Sequence, residues 1–74
     1  MRIGPYRFFF YSGDRHEPEH VHVERENKVA KFWTNPVRLL STGGFGGTEI
    51  NRLEKLVDEN SQELLRNWNE FFNV

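Results

Sequence analysis

The sequence predicts a single α+β domain over residues 1–74, and three observations carry the prediction. An aromatic run occupies residues 6–11, a strictly alternating stretch at 20–25 has a second strand-like run just behind it, and the C-terminal third is periodic at helical spacing. Strands come first and helices last, without interleaving, which is the α+β order rather than a parallel α/β one. The expected architecture is a small antiparallel sheet of three or four strands, with a C-terminal helical segment packed on one face.

Each element has a local cause. Tyr6-Arg7-Phe8-Phe9-Phe10-Tyr11 is dense in strand-favouring rings and lies between Pro5 and the turn-forming Ser12-Gly13-Asp14. Its rings point to both faces, the mark of a strand that is central or covered. Residues 12–19 form a polar loop. His20-Val21-His22-Val23-Glu24-Arg25 then alternates, and Val29-Ala30-Lys31-Phe32-Trp33 follows the short break at Glu26-Asn27, read as a two-residue hairpin loop with Asn27 taking the positive φ. That loop length sets His20 opposite Trp33 and His22 opposite Lys31. Val21, Val23 and Phe32 then share a core face, while His20, His22 and Lys31 face outward.

Asn35-Pro36 ends the strand, and Val37-Arg38-Leu39-Leu40 is a candidate fourth. The run Gly43-Gly44-Phe45-Gly46-Gly47 reads as a flexible connector rather than a phosphate loop, because the Lys-Ser/Thr ending is missing. Phe45 is expected to tuck into the core. Thr48 is a candidate N-cap for a helix with Ile50, Leu53, Leu56 and Val57 on one stripe. Asn60 and Glu63 have capping-box spacing, so residues 48–72 form either two helices or one kinked helix, with Leu64, Leu65, Trp68, Phe71 and Phe72 at helical spacing. The expected core brings Trp68, Phe71, Ile50 and Leu53 onto Phe8 or Phe9, Val21, Val23 and Phe32. Tyr6, Tyr11 and Trp33 are expected to stay partly exposed.

Composition excludes several function classes. A chain of 74 residues supports one core, and its seven Phe, two Trp and two Tyr build it from few positions. Cysteine is absent, so no disulfide or thiolate site can staple the fold. A net charge of −1 argues against a protein that coats nucleic acid non-specifically. No apolar stretch approaches the ~20 residues of a membrane span, and a cytoplasmic protein is the default expectation.

The chemistry concentrates in Asp14-Arg15-His16-Glu17-Pro18-Glu19-His20-Val21-His22, which holds all three histidines. A His-x-His on a strand points both imidazoles to one face, about 7 Å apart. One reading is a metal-independent acid–base pair for phosphodiester cleavage: His20 and His22 exchange protons, Lys31 stabilises the developing charge, and Asp14, Arg15, Trp33 and Arg38 contact the substrate. No cofactor is then needed, and RNA is the expected substrate. A second reading is a metal module, in which Asp14, His16, His20 and His22 hold zinc or a similar divalent ion. A third is a non-enzymatic domain whose aromatic and strand-edge surface binds a protein partner.

The segments Tyr11-Ser12-Gly13-Asp14 and Glu17-Pro18-Glu19-His20-Val21-His22-Val23 resemble the hallmark of small bacterial proteins grouped as domain of unknown function 4160. Lys31-Phe32-Trp33, Asn35-Pro36-Val37-Arg38-Leu39, Gly43-Gly44-Phe45 and Glu63-Leu64-Leu65-Arg66-Asn67-Trp68 are similar to that family as well, so the resemblance covers roughly residues 6–72. It implies a toxin-like member of a toxin–antitoxin pair, partnered by a neighbour-encoded antitoxin-like protein of the family called domain of unknown function 2442. Carried over by position, the motif residues are Asp14, Pro18, His20 and His22. Glu19 stands where many relatives have Pro, which sets a negative charge beside the histidines.

Overall fold

The computed structural model describes residues 1–74 as a five-stranded antiparallel meander followed by two helices. The strands are β1 (Arg2–Ile3), β2 (Tyr6–Phe9), β3 (His20–Arg25), β4 (Lys28–Thr34) and β5 (Val37–Ser41), in spatial order β1-β2-β3-β4-β5. A 3₁₀ turn over Ser12–His16 lies between β2 and β3, and α1 (Gly47–Glu59) and α2 (Ser61–Phe72) complete the chain.

The β3–β4 register is the expected one: His20 pairs with Trp33, Val21 with Phe32, His22 with Lys31 and Val23 with Ala30. Burial explains why it does not slip. Val21, Val23, Ala30 and Phe32 have no exposed surface, and a one-residue shift would turn all four away from the helices. The positive φ of the hairpin falls on Glu26 (φ 58°) rather than on Asn27.

Sheet size is the main departure from the sequence reading. β5 is present, and β1 adds a fifth strand too short to leave an alternating pattern. Its turn is Gly4-Pro5, with Gly4 at φ 54°, so that Ile3 faces Tyr6. The Phe8 N–H donates to the Met1 carbonyl at 2.7 Å, extending this edge by one residue.

The C-terminal segment is two helices. α1 starts at Gly47 with Gly46 in the N-cap position, so Thr48 is not the cap. Asn60 makes no capping box with Glu63; its side-chain amide donates back to the Leu56 carbonyl at 2.8 Å and closes α1 instead. The break resets the helical phase. α2 buries Leu64, Trp68 and Phe72, spaced four residues apart, and Phe71 is left 51% exposed rather than in the core.

Ile50, Leu53 and Val57 of α1 cover Phe8, Val21, Val23 and Phe32, and Phe45 is buried among them. Tyr6 is also buried, contrary to expectation, because Glu49 accepts a hydrogen bond from its hydroxyl at 2.8 Å. Thus α1 seals one face of the sheet. The opposite face carries the histidines, and the 3₁₀ turn folds over them.

Candidate metal centre

Strand periodicity puts Phe9 of β2, His20 and His22 of β3, and Lys31 and Trp33 of β4 on the face away from α1. The loop leaving β2 curls back over this face as the 3₁₀ turn and lowers Asp14 onto it. The Asp14 carboxylate accepts the Tyr11 backbone N–H at 2.8 Å through Oδ2, which fixes its orientation.

Both imidazoles converge on that carboxylate. His20 Nε2 lies 3.1 Å from Asp14 Oδ1, and His22 Nε2 lies 3.2 Å from Asp14 Oδ2. One ligand atom from each of the three residues fits within 4.8 Å, and all three residues are buried. The histidines lie on the expected face, away from the core under α1, but are enclosed there rather than exposed: His20 has no exposed surface, and His22 retains only 8%.

Burial is the largest influence on the Asp14 carboxyl and pushes its pKa up. The Tyr11 N–H and the two histidines push it down and prevail, so it is held below the usual carboxylate range. For His22, burial lowers the pKa and outweighs the attraction of Asp14, with Lys31 and His20 adding repulsion. The neutral His22 ring donates its Nε2–H to the ionised Asp14 at 3.2 Å, and a cation bound there takes the place of that proton.

His20 poses a problem that no neutral imidazole solves. Its Nδ1 sits 2.8 Å from the Pro18 carbonyl, which can only accept, so Nδ1 carries the proton. In the neutral ring Nε2 is then a bare lone pair directed at a carboxylate. It is buried and makes no hydrogen bond, since neither it nor the Asp14 Oδ1 atom 3.1 Å away then has a proton to share. The other tautomer would set a lone pair against the Pro18 carbonyl. Only a positive charge between Nε2 and Oδ1, a second proton or a metal ion, satisfies both ends.

The remaining expected residues sit around this cluster in different ways. Lys31 lies across from His22, with its ammonium on Glu17 Oε1 at 3.2 Å. Trp33 is half-buried and meets His20 edge-on, with ring centroids 5.8 Å apart. His16 and Arg15 are exposed on the 3₁₀ turn, and His16 is not part of the ligand cluster. Arg38 is exposed on β5 opposite Trp33.

Several contributors escaped the sequence reading. Phe9 stacks on His22 at 5.3 Å, Tyr11 approaches it edge-on at 4.6 Å, and Trp68 of α2 closes over His20 at 5.4 Å. Period-two spacing from His22 through the β2 partner would have found Phe9. No local signal marks the Pro18 carbonyl or Trp68.

The model of the family described as Domain of unknown function (DUF4160) matches residues 6–69. The chain belongs to that family. Neither a curated protein nor a solved structure matches it significantly. The family match spans every strand but β1, both helices except the end of α2, and all three residues of the cluster.

Proposed function

We propose that this family member is a metal-binding module whose Asp14, His20 and His22 hold one divalent first-row ion. The observation that carries the reading is His20 Nε2, a buried lone pair aimed at a carboxylate with its other ring nitrogen tied to a backbone carbonyl. A backbone carbonyl on the far nitrogen is the usual way a ligating imidazole is oriented. Two imidazole nitrogens and one carboxylate oxygen suit zinc or ferrous iron.

The metal-independent ribonuclease reading needs both histidines to face a substrate phosphate. With His20 fully enclosed and both Nε2 atoms turned onto one side chain, the geometry favours the metal centre. The toxin-like role and the antitoxin-like partner are compatible with either chemistry and rest on the family resemblance.

Equilibrium dialysis of tag-free, chelator-stripped protein against Zn²⁺ tests the proposal. One ion per chain is expected, with binding lost in Asp14→Ala and His22→Ala and retained in His16→Ala. A folded wild-type chain that takes up no zinc, cobalt or ferrous iron would refute it.

A further inference from the structure

We infer that the metal centre keeps an open position at the His22 edge and takes a small oxyanion there, a carboxylate or phosphate oxygen, with Lys31 as its second anchor. This inference rests on the metal reading above.

Three protein atoms converge, and none of the neighbouring side chains supplies a fourth. His16 is exposed outside the cluster, and the Glu17 carboxylate is occupied by Lys31. An ion of this class therefore has at least one position left for an outside ligand. The packing says where it opens. His20 is closed in by Trp33 and Trp68, whereas the His22 and Asp14 side chains retain 10% and 9% of their surface, with Tyr11 edge-on to His22 and Lys31 opposite it on β4.

Charge says what enters. A divalent ion with one carboxylate leaves one positive charge in a buried site, and the Lys31–Glu17 pair adds none. Such a charge is unfavourable away from water unless it is compensated. A neutral water molecule fills the position without compensating it, and compensates it only by giving up a proton to become hydroxide. An oxyanion does both, and it can draw the Lys31 ammonium, 28% exposed, away from Glu17. The ring of Tyr11, 54% exposed, stands edge-on to His22 at 4.6 Å, beside the position the anion would take.

Cobalt substitution separates this inference from the one beneath it. Chelator-stripped protein is loaded with Co²⁺, and the visible ligand-field bands are followed during separate titrations with inorganic phosphate and acetate. Saturable spectral changes are expected with at least one of them. Lys31→Met should weaken the responsive anion about tenfold, the loss of one charge-assisted contact, while the protein still takes up Co²⁺. Cobalt bands indifferent to both anions would overturn the inference and leave the metal centre standing. An unaltered anion response in Lys31→Met would remove Lys31 from it. A chain that binds no cobalt would bring down the metal reading itself.

Discussion

The Glu49 carboxylate shows how one residue ties the sheet to a helix. It lies in the first turn of α1, where negative charge suits the helix dipole, and receives two hydrogen bonds from Arg25 at 2.7 and 2.9 Å. With the Tyr6 hydroxyl it forms a three-residue link across β2, β3 and α1. The Arg25 hydrogen bonds, followed by that of Tyr6, hold its pKa down at about 2, against 4.5 for an unperturbed carboxyl. A depressed carboxyl stabilises the fold above its unfolded pKa, and the contribution disappears as pH falls toward the folded one. The melting temperature of the wild type should therefore drop between pH 4.5 and 2 more steeply than that of Glu49→Gln. Parallel melting curves for the two proteins over this window would show that the link adds no pH-dependent stability. Gly43 is the other residue with a narrow requirement. It has φ 60°, and a Cβ there would run into the Val29 carbonyl of β4. Gly43→Ala should destabilise by more than about 1 kcal/mol in urea unfolding, whereas Gly13→Ala, which meets open space, should not.

Among the elements, legibility followed how strongly each was specified locally. The β3–β4 hairpin could be read to the residue because alternation and loop length allow one register that buries both valines. β1 could not be read, since two residues carry no period and the strand depends on its partner. The helix break was visible as a possibility, but its geometry depends on an Asn60 side chain that bonds backward instead of forward. That choice decides whether Phe71 or Phe72 is buried. Trp68 carries the most weight in α2, meeting Phe10 edge-on at 5.3 Å, Phe72 at 4.4 Å and His20 at 5.4 Å. Trp68→Ala should cost about 3–5 kcal/mol, comparable to the entire stability expected of so small a core. If α2 docks as described, Trp68→Phe should recover much of that loss. A Trp68→Ala protein with an unshifted unfolding midpoint would contradict the packing.

For the whole molecule, the site residues were legible but their burial was not. Asp14, His20 and His22 stood out by type and spacing, whereas nothing in the alternation of β3 says that the outward face of the sheet is roofed by residues 12–16. The roof follows from the Tyr11 N–H and the Pro18 carbonyl, backbone groups that sequence patterns do not reveal. This has a consequence for stability. A 74-residue chain without cysteine has a marginal core, and two histidines with one carboxylate occupy buried positions that apolar residues would otherwise fill. A bound ion would turn those positions into a staple between the 3₁₀ turn and β3. Ligand that binds the folded chain alone stabilises it by about 2.7 kcal/mol at a hundred times its Kd, which for a domain of this size raises Tm by about 10 °C or more. Calorimetry of chelator-stripped protein with and without Zn²⁺ should therefore show a concentration-dependent rise in Tm. Asp14→Ala should abolish that rise, since it removes the group that bridges both imidazoles; the flexible His-x-His of the unfolded chain competes only weakly for the ion. Coincident wild-type melting curves in chelator and in zinc would show that the cluster contributes no metal-linked stability and would count against the metal centre.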